Sequence, residues 1–214
     1  MVIVELYGLP GAGKTTEIIR IMEYLEKKNL DFFLVRPIEN TEDFNGNVIK
    51  FNKLSLLLRP RYIVLSIKLF IFLRKEIFFN EYFSDVKENI KTVLRQIMYL
   101  GMYNKNKFDG FLLSDQGLFQ ELSGFIMNPE KLNSCLDILE CEMKENEIMV
   151  LLIESTLELS QKRINLRKRC VSQMDYFEDS VLYNYLIEYQ KNIKSVTEKH
   201  TVYTSFDVIV KNNY

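Results

Sequence analysis

The chain has 214 residues, 47% of them hydrophobic and 27% charged, and a formal net charge of −1. That length suits one sizeable α/β domain rather than two, and a charge so near zero excludes the basic footprint of a nucleic-acid binder. Cys135, Cys141 and Cys170 lack metal-ligand spacing and include no C-x-x-C pair, and with no secretory leader a reducing cytoplasm is the expected compartment.

Residues 2–7, Val-Ile-Val-Glu-Leu-Tyr, are short, apolar and rich in β-branched side chains, which predicts a strand buried in a parallel sheet. Gly8-Leu9-Pro10-Gly11-Ala12-Gly13-Lys14-Thr15 follows directly and fits G-x-x-x-x-G-K-[ST], the phosphate-binding loop. Beyond it, Ile18, Ile19, Met22 and Leu25 recur at helical spacing, with Asn29 as the stop. Strand, glycine loop and helix thus arrive in the order that aims backbone N–H groups and a helix dipole at one anion. Gly8, Pro10, Gly11, Ala12, Gly13, Lys14, Thr15 and Thr16 are the expected nucleotide-binding residues. Lys14 supplies a point charge for the β- and γ-phosphates, and the Thr15 hydroxyl is an expected Mg²⁺ ligand.

Residues 31–36 read as a second buried strand ended by Pro37. Polar residues 38–46, including Glu39, then follow at the carboxyl edge, where open α/β sheets bind ligands. Helical periodicity runs over about 54–103, broken at Arg59-Pro60 and around residues 80–85. This predicts two or three helices between strands two and three. Within them residues 62–73 are strongly apolar, but Arg61, Lys68 and Arg74 leave no uncharged run of membrane-spanning length. The segment is read as a buried or subunit-packing helix, the latter implying a homodimer, ahead of a membrane-surface helix; no stable membrane insertion is expected.

Residues 111–115, Phe-Leu-Leu-Ser-Asp, form the next strand, and its final acid is placed to serve Mg²⁺ or a reacting hydroxyl. Helices are expected from Gln116-Gly117 through Phe125 and from Pro129 to about Lys144. Residues 148–153 are the fourth strand, and Ser155 with Glu158 forms a capping box for the helix after it. That helix carries Arg163 and Arg167 four residues apart, hence on one face. Residues 175–198 read as one or two amphipathic helices striped by Leu182, Tyr185, Leu186, Tyr189 and Ile193. Two β-rich pieces close the chain, 201–203 and 208–210, one of them the fifth strand, leaving little room for a final helix.

No Asn-Lys-x-Asp follows a strand, so the guanine-reading motif of GTPases is missing. With the loop, the Arg36-Pro37-Ile38-Glu39 segment, Ser114-Asp115-Gln116-Gly117, the Arg163-x-x-x-Arg167 pair and Asp175-Tyr176-Phe177-Glu178, the chain resembles the thymidylate kinase-like branch of the P-loop nucleoside and nucleotide kinases. The resemblance implies a three-layer P-loop NTPase fold. Its five-stranded parallel sheet is flanked by helices across a single domain, residues 1–214, with a helical acceptor-side insertion at about 54–103. An arginine-bearing lid, about 163–178, would close over ATP. It further implies that Lys14, Arg163 and Arg167 act in catalysis with Asp115 or Glu39 as the candidate base, that Arg163 also touches the nucleotide, and that Thr15 and Asp115 hold Mg²⁺. Gln116 stands where thymidylate kinases carry an arginine, so the expected acceptor is a nucleoside or nucleotide other than thymidylate. A sugar-like acceptor and a non-catalytic ATP-binding partner module are the alternatives.

Overall fold

The computed structural model describes residues 1–35, 41–42, 48–49, 59–105, 110–143, 147–167 and 173–213. The Arg36-Pro37-Ile38-Glu39 segment, most of the polar stretch 38–46 and the middle of the expected lid lie outside the described residues. In chain order the first half comprises β1 (Val2–Tyr7), α1 (Lys14–Lys27), β2 (Phe32–Leu34), β3 (Thr41–Glu42), β4 (Val48–Ile49), α2 (Pro60–Phe72), α3 (Arg74–Phe79) and α4 (Val86–Lys105). The second half comprises β5 (Phe111–Ser114), α5 (Leu118–Phe125), α6 (Pro129–Glu140), β6 (Ile148–Leu152), α7 (Leu157–Leu166), α8 (Asp179–Lys199), β7 (Val202–Tyr203) and α9 (Phe206–Asn213), with a 3₁₀ turn at Gln173–Tyr176.

Five strands form one sheet in the order β2-β5-β1-β6-β7, every pair parallel. β3 and β4 make a separate antiparallel pair. Side chains alternate across β1, so each face of the sheet has its own core. Val4 and Leu6 pack with Ile18, Ile21 and Leu25 of α1 and with Phe206 and Ile209 of α9. Ile3 and Tyr7 join the larger core built from α2, α4, α5, α6 and α8. Helix, sheet and helix are the three layers expected of a parallel sheet covered on both faces.

Helix ends follow local chemistry. Asn29 takes φ 52° just past α1. There its N–H bonds the Glu26 carbonyl and the Leu30 N–H bonds Leu25, a Schellman stop that satisfies two orphan carbonyls. Pro60 and Pro129 each occupy the first turn of a helix, where no N–H is required. The excursion between β2 and β5 resolves into α2, α3 and α4: α2 begins at the Arg59-Pro60 interruption and α3 ends at the one around residues 80–85, while the break between α2 and α3 at Leu73 had no signal in the sequence. On α2, Tyr62, Leu65 and Leu69 are buried, as is Leu73 at its end, while Ile63, Ile67 and Ile71 on the opposite arc stay 42%, 55% and 66% exposed. No helix of the described residues is long and apolar enough to cross a membrane.

Three expectations are corrected. Residues 208–210 are not a strand but part of α9, because Phe206 and Ile209, three apart, bury together against the α1 side of the sheet. α9 is also the terminal helix for which the sequence seemed to leave little room. The cap of α7 is Thr156 rather than Ser155: Thr156 Oγ1 accepts the Leu159 N–H at 3.2 Å, while Ser155 Oγ meets Ser160 Oγ at 3.0 Å.

Asn192 of α8 is fully buried, and its amide donates to the carbonyls of Ser123 and Ile126 at 2.9 and 2.6 Å, closing the end of α5. Asn192→Ala should therefore cost about 1–3 kcal/mol, the penalty for leaving buried carbonyls unpaired. In a chain of this size that lowers the melting midpoint by roughly 2–4 °C per kcal/mol, read by thermal denaturation.

Candidate active site

β1 delivers the chain to the carboxyl edge of the sheet, where it turns into the glycine loop. A β-carbon at Gly8 would sit 2.3 Å from the Ile153 carbonyl oxygen, so only glycine lets the loop start this close to the end of β6. The loop then closes through Ala12 N–H to Leu9 carbonyl at 3.0 Å, and α1 begins from a left-handed Gly13. The N–H groups of α1's first turn and its dipole thereby converge on the loop's concavity.

Lys14 folds back over this loop and donates to the Gly8 and Leu9 carbonyls, both at 2.9 Å. Burial of the ammonium, reinforced by the neighbouring Arg167 guanidinium and only partly offset by Asp115, pulls its pKa down to about 7. Thr15 Oγ1 donates to Asp115 Oδ2 at 3.3 Å, which joins the loop to the end of β5. Asp115 itself is buried. A hydroxyl and a carboxylate presented together at a phosphate loop are hard oxygen donors, the set that suits Mg²⁺.

α7 supplies the arginines. Arg163 Nη1 donates to the Gly11 and Ala12 carbonyls at 3.1 and 3.0 Å, so it grips the loop's outer rim. Arg167 caps the end of α7, close enough for its charge to weigh on Lys14. Lys14, Thr15, Asp115, Arg163 and Arg167 thus gather at one edge of the sheet. Gly8, Pro10, Gly11, Ala12 and Gly13 shape the loop, and Thr16 is the third residue of α1 and exposed. Glu39 lies outside the described residues.

Four polar residues near this edge were not singled out from the sequence. Glu5 on β1 is fully buried, and burial lifts its carboxyl to about 6 despite hydrogen bonds from Tyr103, Leu118 and Phe119. Gln120 on α5 accepts the Gly8 N–H at 3.2 Å. Glu121 is pushed up to about 7 by burial, against the pull of Arg95, whose Nε lies 3.2 Å from its carboxylate. Gln96 of α4 donates to Glu121 at 3.0 Å. An acid inside the apolar run of residues 2–7 was the visible signal for Glu5; nothing local marked the other three.

No protein-family model and no curated protein matches the sequence. Among solved structures, deoxyadenosine kinase from M. mycoides with bound dATP superposes with a TM-score of 0.51 at 15% identity, over 96% of this chain and 90% of that one. The same enzyme with products dCMP and dCDP, and with bound dCTP, gives TM-scores of 0.48 and 0.47 at 14% and 13% identity, each covering 95% of this chain and 89% of the other.

Lys14 makes a proton count. With its pKa near 7, the amine is partly neutral above pH 7, and a polyphosphate raises it by favouring the ammonium. Binding of ATP at pH 8 should therefore take up protons, and affinity should fall as pH rises above 7. Calorimetry in two buffers of different ionisation enthalpy reads the uptake, and Lys14→Met should abolish it. Taken together, the loop, the parallel sheet and the structural likeness give this chain the fold of the P-loop nucleoside kinases.

Proposed function

We propose that the chain is an ATP-dependent kinase that passes the γ-phosphoryl of ATP to a small-molecule acceptor, a nucleoside or nucleotide. The observation that carries this reading is the convergence of Lys14, Thr15 and Asp115 on one loop with Arg163 and Arg167 at its mouth. The polar group of buried Gln96 with half-buried Glu121 and Arg95, on the helices after Asp115 and before β5, supports an acceptor rich in hydrogen-bonding edges. Deoxyadenosine kinase, which shares the fold, binds dATP.

In this reading the loop amides and Lys14 hold the β- and γ-phosphates. Thr15 and Asp115 would hold Mg²⁺, which would neutralise phosphate charge when bound. The acceptor oxygen forms a bond to the γ-phosphorus as the bond to the β–γ bridging oxygen breaks, and ADP leaves. Where the acceptor is a hydroxyl, its proton goes to the carboxylate of Asp115 or Glu39. Arg167, next to Lys14, offsets charge developing on the transferred group, and Arg163 contributes from the loop's rim. Closure of residues 163–178 would exclude water and favour transfer over hydrolysis. A second reading, a nucleotide-dependent partner module, is favoured by one observation: the exposed Ile63, Ile67 and Ile71 face of α2.

Acceptor-dependent ADP release from Mg-ATP, measured over pools of nucleosides, nucleoside monophosphates and sugars, separates the two. The kinase reading expects one nucleoside or nucleotide to stimulate release. It also expects Arg167→Ala and Arg163→Ala each to lower kcat by about 10²-fold or more without lowering the melting midpoint. If no acceptor raises release above background hydrolysis, the kinase reading fails. A sugar as sole acceptor would keep the reaction and change the substrate class.

A further inference from the structure

The start of α5 is capped from elsewhere in the chain. Helices ordinarily satisfy their first N–H groups with a side chain at the N-cap position. The N-cap of α5 is Gly117, which has none. The acceptor comes instead from Glu5, in the middle of the central strand: Oε1 accepts the Leu118 N–H at 2.8 Å and Oε2 the Phe119 N–H at 3.0 Å. Tyr103 of α4 donates its hydroxyl to Oε1 at 2.7 Å, so the carboxylate joins β1, α4 and α5. Glycine at 117 belongs to the same device, because a β-carbon there would lie 2.0 Å from Glu5 Cδ.

The turn held in this way is the one that carries the candidate chemistry. Asp115 lies just ahead of Gly117 and accepts from Thr15 at 3.3 Å. Gln120, on the first turn of α5, accepts the N–H of Gly8, the first residue of the phosphate loop, at 3.2 Å. The Gln120 carbonyl is in turn fixed by the Tyr189 hydroxyl at 2.7 Å. The contacts close a ring from Glu5 through α5 to the loop and back along β1. Stability alone does not account for a carboxylate here. Ile3 and Tyr7 fill the same face of β1 with apolar surface, and an ionised group removed from water costs energy even when paired.

The geometry points to Glu5 as a positioning residue for phosphoryl transfer: by holding the first amides of α5 it sets Asp115 opposite Thr15 and Gln120 against the loop's first N–H. This inference rests on the kinase reading above. Glu5 does not touch the reacting atoms; it acts through α5, whose placement by a fraction of an ångström governs how the acceptor and the loop meet.

Glu5→Gln keeps the side chain's volume but removes its charge and one acceptor, leaving a capping amide unpaired. With the acceptor that the wild-type chain phosphorylates best, kcat should fall about 10–10²-fold. The Kd for ATP, measured by calorimetry without acceptor, should stay within about threefold, since the phosphate loop is built from residues 8–15. A purely structural role would instead lower the melting midpoint and the fraction of chains that bind ATP, leaving kcat per binding-competent chain unchanged. Should Glu5→Gln fold poorly, Glu5→Ala combined with Gly117→Ala serves, because the new methyl occupies the space the carboxylate leaves. That double variant should melt higher than the sum of the single changes requires, yet remain slow. Wild-type kcat per ATP-binding chain in either variant overturns the inference while the kinase reading stands. A wild-type chain that phosphorylates no acceptor overturns both.

Discussion

Everything at the candidate site depends on β1 being paired on both sides. Its backbone is spent on β5 and β6 along its length, so the chain leaves it only at the carboxyl end, and must turn there at once. Gly8 makes that turn hard against the Ile153 carbonyl, while Ile153 N–H bonds back to Tyr7 at 2.7 Å. Parallel neighbours on either side end at the same edge. Asp115 therefore arrives from β5 and α7 from β6 beside the loop that β1 feeds, without any long-range search. The site is a consequence of strand order, and the loop's glycines are what allow the order to close up.

Legibility in the sequence tracked how local each cause was. The glycine loop, β1 and the Asn29 stop depend on neighbours in the chain, and each appeared where the residues placed it. Asp115 could be placed at the sheet's carboxyl edge because the apolar run 111–114 just before it marks a strand without reference to any partner. Glu5 could not be interpreted, although it was visible, because the groups that justify it are amides at 118 and 119 and a hydroxyl at 103. Val208, Ile209 and Val210 have strand-like propensity, yet burying Ile209 with Phe206 requires a helical turn, and packing outweighs propensity over so short a segment. Ser155 and Thr156 are adjacent hydroxyls of similar capping strength; the exit of β6, fixed by the Tyr7 contact, decided which one begins the helix.

The interface between α4 and α5 is organised by one row on α4. Gln96, Tyr99 and Tyr103 are spaced by three and four residues, so they line one face of the helix toward α5. Gln96 meets Glu121 at one end of the row and Tyr103 meets Glu5 at the other. Both carboxyls titrate above their usual range because burial outweighs the donors that reach them. Such a polar interior is costly to fold and specifies its own alignment: sliding α4 by a turn would strand a carboxylate at each end. The long excursion between β2 and β5 is thereby keyed to the sheet by hydrogen bonds as well as by apolar packing.

The arginines complete the electrostatic argument. Arg163 is tied to carbonyls on the loop's rim, whereas Arg167, one turn on, bears on Lys14. Positive groups gathered around this loop repel one another, and the repulsion from Arg167 adds to burial, the larger cause, in depressing the Lys14 amine. Asp115 offsets only part of it. A site built to hold a neutral ligand would gain nothing from such crowding, since it raises the energy of the empty state. For a polyanion the same crowding becomes attraction, strongest where water is excluded. The loop's geometry says that an anion fits, and the positive groups around it favour one of several negative charges.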